Sequence, residues 1–169
     1  MHVKSVSMGL ESATPRILDY LKGSNINIKN HSKAIRILKK YGIEPSASFI
    51  IGSPNETREE ISQTYKFIKD SKLRGFGVYV LTPLPGTPVW EYAKEKGLVN
   101  EKMDWSTLNV EFGQNHKQAI ILSETLTRDE LYKFILKFRA LQKRRYIIDF
   151  LKHPINIPRA AYHFIKHYV

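Results

Sequence analysis

The sequence predicts an α/β protein: a short parallel sheet followed by a helical extension. Two observations carry this. Three compact apolar or alternating runs, near residues 3–8, 46–51 and 76–81, each end in a turn rich in Gly, Pro, Ser or Thr. After each run comes a helix-start signal and an apolar stripe of helical spacing. Strand and helix alternating in this way form βαβ units, whose right-handed crossovers set the strands side by side with helices on one or both faces.

Residues 3–8 alternate apolar and polar side chains and stop at Gly9-Leu10-Glu11-Ser12. Thr14 is a good N-cap and Pro15 suits the first helical position, ahead of a stripe formed by Ile17, Leu18 and Leu21 that Gly23 ends. A second helix near residues 31–41 presents Ala34, Ile35, Leu38 and Tyr41 and stops at Gly42. The run Ser46-Ala-Ser-Phe-Ile-Ile reads as a strand buried on both faces. Thr57-Arg58-Glu59-Glu60 fits a capping box, and its helix runs to Lys72 with Ile61, Tyr65 and Ile68 inward. The third strand, 76–81, is closed by Thr82-Pro83-Leu84-Pro85-Gly86, and Thr87-Pro88 starts a helix that Gly97 stops. Residues 100–126 read as an irregular excursion with one more strand at Ala119-Ile120-Ile121-Leu122. A second capping box, Thr127-Arg128-Asp129-Glu130, opens a helix carrying Leu131, Ile135, Phe138 and Leu141 as far as Leu151, and a last short helix spans 159–167. The expected division is 1–99 for the sheet unit, 100–126 for the irregular segment and 127–169 for a basic amphipathic extension.

Composition bounds the function. With 169 residues, 42% of them hydrophobic, the chain can bury about two thirds of its unfolded surface and needs no disulfide or structural metal to hold a core. It has no Cys, which excludes thiolate zinc sites and cysteine-ligated iron-sulfur clusters on its own residues. No apolar run reaches the roughly 18 residues of a membrane-spanning helix, and the opening MHVKSVSMGLES does not read as a signal peptide, so a cytoplasmic chain is expected. The net charge of +11 is unevenly placed, because residues 127–169 carry 10 Lys or Arg against 3 Asp or Glu.

In parallel α/β folds the site lies at the carboxyl ends of the strands, here the loops 9–14, 52–57 and 82–87. Gly52 and Gly86 would let a ligand approach the backbone, although each also serves a turn. The acids at these ends are Glu11 and Glu56. A carboxylate suits a bidentate bond to a ribose diol, so Glu11 fits a nucleoside, or else it is a solvated loop acid; Glu56 also suits the start of the next helix. The six His have no metal-ligand spacing, and neither a Gly-x-Gly-x-x-Gly nor a Walker pattern occurs.

Three strings, "MGLESATPRILDYLKG", "FIIGSPNETREEISQT" and "LTPLPGTPVWEYAKEKGLV", in this order and spacing, resemble the second half of the catalytic domain of radical S-adenosylmethionine (radical SAM) enzymes. The match is to the group with an elongator-type core, including members with a cobalamin-binding domain, and covers about residues 5–99. The resemblance implies a partial (β/α) barrel of which these would be the fourth to sixth strands. It implies that Glu11 contacts the ribose of S-adenosylmethionine with Ser12 beside it, that Ile50 and Gly52 lie by the adenine and amino acid portion, and that the backbone at Leu81 and Thr82 edges the adenine. Glu56 and Thr57 match the loop-and-helix junction and take a structural role through the cap. In the family a Cys-x-x-x-Cys-x-x-Cys loop after the first strand holds a 4Fe-4S cluster, at which the cofactor is reductively cleaved. This chain has neither that loop nor the first three strands. It therefore reads as the C-terminal portion of a radical enzyme, inactive alone, whose partner is the missing N-terminal half or a second copy joined through the exposed sheet edge.

The tail has two readings. Either Leu131, Ile135, Phe138 and Leu141 pack on the barrel and Lys133, Lys137, Arg139 and Lys143 are its solvated side, or basic and aromatic residues bind RNA, an anionic surface or a protein partner. The second would make the chain a non-catalytic interaction module, with nucleic acid the minority case.

Overall fold

The computed structural model describes residues 3–23, 26–71, 73–113 and 116–152. In chain order they form β1 (Ser5–Glu11), α1 (Pro15–Lys22), α2 (Ile28–Lys40), β2 (Glu44–Ile51), α3 (Arg58–Ser71), β3 (Gly75–Val80), α4 (Pro88–Glu95), one 3-10 turn (Trp105–Thr107) and α5 (Arg128–Lys152). The three strands pair in parallel in the order β1-β2-β3. These are three βα units of a partial barrel followed by a long helix.

One face of the sheet holds the core. Leu10, Ala47, Phe49, Ile51, Phe76 and Val80 meet Ile35 of α2, Ile61 and Ile68 of α3, and Leu131, Ile135 and Phe138 of α5. The opposite face is built from small residues: Ser7, Ser46 and Gly75 form one cross-strand row, and Gly9, Ser48 and Gly77 the next. Burial along β2 therefore alternates, with Pro45, Ala47, Phe49 and Ile51 buried and Glu44, Ser46, Ser48 and Ile50 half-buried. The expectation of a strand buried on both faces is corrected, because serines facing glycines offer little apolar surface to cover. Gly77 also accommodates the Tyr79 ring, since a Cβ there would stand 2.8 Å from Tyr79 Oη.

A second cluster sits apart from this core. Leu81, Trp90, Ala93, Val99 and Leu122 pack together, with Ile50, Leu21 and Ile120 against them. The expected strand at 119–122 is not formed. Ile120 N–H donates to Thr107 O at 3.0 Å, but the run makes no ladder, because Ala119 packs into the main core and Leu122 into the second cluster.

Helix starts follow the local signals with one exception. Thr57 N–H donates to Glu60 Oε2 at 2.9 Å and Glu60 N–H returns to Thr57 Oγ1 at 3.3 Å; Thr127 and Glu130 repeat this at 2.8 and 3.3 Å. Thr87 Oγ1 accepts from Trp90 N–H at 3.1 Å. Thr14 occupies the N-cap position of α1 but its side chain caps nothing, because it is buried and turned to Ser12 Oγ at 3.2 Å. The end of α3 at residue 72, and the final helix at 159–167, lie outside the described residues.

The two sheet edges differ. On β3, Gln142 Nε2 of α5 donates to Phe76 O, and Val80 N–H donates to Val110 O at 2.9 Å. Beyond β1 no strand pairs among the described residues.

Leu131 is fully buried in the main core, so Leu131→Ala is expected to cost about 2–5 kcal/mol of unfolding free energy, against about 1 kcal/mol for loss of the cap in Thr57→Ala. Urea denaturation measures both. Equal losses would show that α5 does not belong to the same cooperative unit as the sheet.

Candidate functional site

A parallel sheet brings the carboxyl ends of its strands to one side, and the residues singled out in the sequence lie there. Glu11 ends β1 at an irregularity in the pairing with β2, where the register skips from Gly9 to Glu11, and its φ is +59°. That left-handed backbone costs a non-glycine residue of the order of 1 kcal/mol. It folds the carboxylate back over Gly9, where a Cβ would collide with Oε1. Lys22, from the last turn of α1, donates to Gly9 O at 2.5 Å and stands 3.6 Å from Glu11 Oε1. At that distance the pair is electrostatic rather than a hydrogen bond, so it does not consume the acceptor capacity of the carboxylate.

Ser12 sits beside Glu11 in sequence but faces inward. It is fully buried, its Oγ accepts from Thr14 N–H at 3.2 Å, and Thr64 Oγ1 of α3 accepts from Ala13 N–H at 3.2 Å. Thr64 was not singled out from the sequence. Its signal was a hydroxyl residue on the buried side of α3, three residues after Ile61.

The loop 52–57 is fixed at every carbonyl from Ser53 to Glu56. Ser53 O accepts from Glu56 N–H at 3.0 Å, Pro54 O from Glu124 N–H at 2.7 Å, Asn55 O from Arg16 Nη2 at 2.6 Å, and Glu56 O from Thr125 Oγ1. Gly52 has φ +82°, a conformation that favours glycine, and the position a Cβ would take faces Leu131 and Val80 at 3.4 Å.

Glu56 is the centre of this loop. Its side chain is buried and Oε2 accepts from Gly52 N–H at 2.6 Å and Ser53 N–H at 3.2 Å. Burial outweighs those two donors and pushes the carboxyl up to about 7. Glu56 Oε1 and Ser53 Oγ are buried without a partner among the described residues.

Of the remaining sequence-predicted residues, Ile50 is half-buried and packs against the second cluster, while Leu81 is buried and donates its N–H to Ile51 O at 2.9 Å, which sets it beside Gly52. Thr82 Oγ1 donates to Val80 O at 3.0 Å. The site thus joins Glu11, Gly52 and Leu81 at three adjacent strand ends, leaves Thr82 at the rim, and turns the Ser12 side chain away. The arrangement can offer a carboxylate acceptor and two backbone edges to a polar ligand. The chain contains no cysteine, so the site has no thiolate donor for an iron-sulfur cluster.

Comparisons with known proteins point to one superfamily. The Radical SAM superfamily profile matches residues 1–68. An uncharacterized methyltransferase of Pyrococcus horikoshii is 42% identical over 101 residues, which is 60% of this chain and 22% of that protein. Bacteriochlorophyllide d C-12(1)-methyltransferase of Chlorobaculum tepidum is 36% identical over 93 residues, 54% of this chain and 20% of that protein. Anaerobic magnesium-protoporphyrin IX monomethyl ester cyclase of Cereibacter sphaeroides is 30% identical over 128 residues, 75% of this chain and 19% of that protein. The chain spans about a fifth of the length of these relatives.

The raised Glu56 carboxyl makes a signed prediction. A group whose folded pKa lies above its unfolded value stabilises fully below the unfolded pKa and loses that contribution as pH rises through the folded one. Stability is therefore expected to fall between about pH 4.5 and pH 7, by the order of 3 kcal/mol from this group. Denaturation midpoints of Glu56→Gln, which keeps an acceptor for Gly52 N–H, should lose this slope. An identical pH profile in both proteins would refute it.

Proposed function

We propose that this chain, which belongs to the radical SAM superfamily, contributes the ribose and adenine side of an S-adenosylmethionine site. The carrying observation is the juxtaposition of Glu11, held in a left-handed turn at the end of β1, with the fixed Gly52 loop at the end of β2. Glu11 accepts from the ribose hydroxyls, and Lys22, 3.6 Å from Oε1, helps to hold the carboxylate in place. Gly52 makes the sharp turn that carries the loop backbone away from the end of β2, and Leu81 with Ile50 presents an apolar edge to the base. Ser12 serves by holding the Glu11 turn against α3 through Thr64.

In a complete protein of this family, S-adenosylmethionine at a reduced, cysteine-ligated 4Fe-4S cluster supplies radical chemistry, here for methyl transfer, cyclisation or a related reaction. The names of the relatives support the first two, and cobalamin in the parent protein is compatible with them. The cysteines would come from another segment, so this chain alone is expected to bind the cofactor weakly and not to cleave it.

The outer edge of β1 is where that segment belongs. No strand pairs beyond β1 among the described residues, although Lys22 Nζ donates to Gly9 O there, while β3 meets Gln142 and the Val110 backbone. Without the segment, two copies pair through β1.

Isothermal titration with S-adenosylmethionine tests the site. Glu11→Ala should weaken binding by about tenfold or more, the loss expected for hydrogen bonds to a charged group. Unchanged affinity in the variant, or cofactor cleavage by this chain under reducing, anaerobic conditions with iron and sulfide, would overturn the assignment. Sedimentation tests the edge: the chain should self-associate at tens of micromolar, and a compact monomer there would count against pairing through β1.

A further inference from the structure

The second half of α5 is turned inside out. Beyond Leu141 the side that meets the protein is polar: Gln142 donates to Phe76 O, Arg145 donates to Ile68 O at 2.7 Å, to Lys69 O at 3.2 Å and to Leu73 O, and Asp149 pairs with Arg74. The side that meets solvent sets apolar residues among cations. Ile147, Ile148 and Leu151 are 44%, 42% and 71% exposed, and Leu136, one to two turns before Lys143, is 45% exposed. At 100° per residue these four share one stripe about 20 Å long. Every described exposed position of α5 from Lys133 onward is basic or apolar, with Lys133 and Arg144 among the basic ones, and none is acidic.

We propose that this outward face of α5 docks on an anionic lipid surface. Aliphatic side chains flanked by cations on one helical stripe fit the boundary of headgroups and acyl chains, where apolar burial and attraction to anionic lipid add. Charge argues against a second copy as the occupant, since two such faces would oppose each other in a chain of net charge +11. The aromatic residues argue against RNA: Phe134 and Phe138 are buried, Tyr132 and Tyr146 half-buried, so no described aromatic ring of α5 is presented for base stacking. No helix among the described residues is long and apolar enough to cross a membrane, so the contact lies in the plane of the surface. This inference is independent of the cofactor site, because it uses none of its residues.

Flotation of the full chain with vesicles tests it. The chain should float with vesicles of equal parts phosphatidylglycerol and phosphatidylcholine, not with phosphatidylcholine alone, and high salt should release it. Ile147→Ser/Ile148→Ser/Leu151→Ser and Lys133→Glu/Arg144→Glu should each lower binding by about tenfold or more, with the circular dichroism of the parent chain. Absence of binding, equal binding to neutral vesicles, or undiminished binding by the serine variant would overturn the proposal; the last would place the contact outside this face. A dimer that the serine substitutions abolish would assign the face to a second copy instead.

Discussion

Gly52 at φ +82° is the constraint from which the rest of the site follows. The positive φ turns the chain sharply at the end of β2, so that the next two N–H groups converge on one acceptor, and Glu56 provides it from within the same loop. Leu131 of α5 closes over the turn on the side where a Cβ would lie. The loop is thus held by its own carboxyl from one side and by a distant helix from the other. Order in this loop is therefore a property of the whole core, not of the local sequence.

This explains why α5 and the segment before it matter to a site whose candidate residues all lie earlier in the chain. Glu124 N–H and Thr125 Oγ1 bond the loop carbonyls, and Glu124 is itself tied to α4, accepting from Tyr92 Oη at 2.6 Å and pairing with Lys96 Nζ at 2.8 Å. One short stretch thus staples the strand-end loop to the helix after β3. The family profile covers residues 1–68, yet the geometry at Gly52 depends on residues beyond it.

Features set by neighbours in sequence were legible. The two capping boxes, the three strands and their parallel order follow from spacing, since a cap needs partners only three residues apart. Features set by packing inside the core were not. Thr14 has the residue type and position of a cap, but a buried serine two residues away offered it a partner inside the core. The run Ala119 to Leu122 has strand composition, but its apolar side chains are divided between two separate clusters. The site residues came from motif and loop position, which placed Glu11, Gly52 and Leu81 correctly at adjacent strand ends and could not show that Ser12 points inward.

The inversion of α5 has the same kind of origin. Arg145 reaches the last turn of α3, where helix geometry leaves carbonyls without intrahelical donors and the helix dipole favours a cation. Meeting that demand requires polar side chains on the inward side of α5 from Gln142 onward. The helical period then fixes which positions are left outward, and among the described residues they are Lys143, Arg144, Ile147, Ile148 and Leu151. A solvated helix would place Lys or Glu there, as α3 does with Glu59, Lys66 and Lys69 on its own exposed side. The docking of α5 therefore accounts for its polar inner side, and the proposed lipid contact would account for the apolar residues on the other.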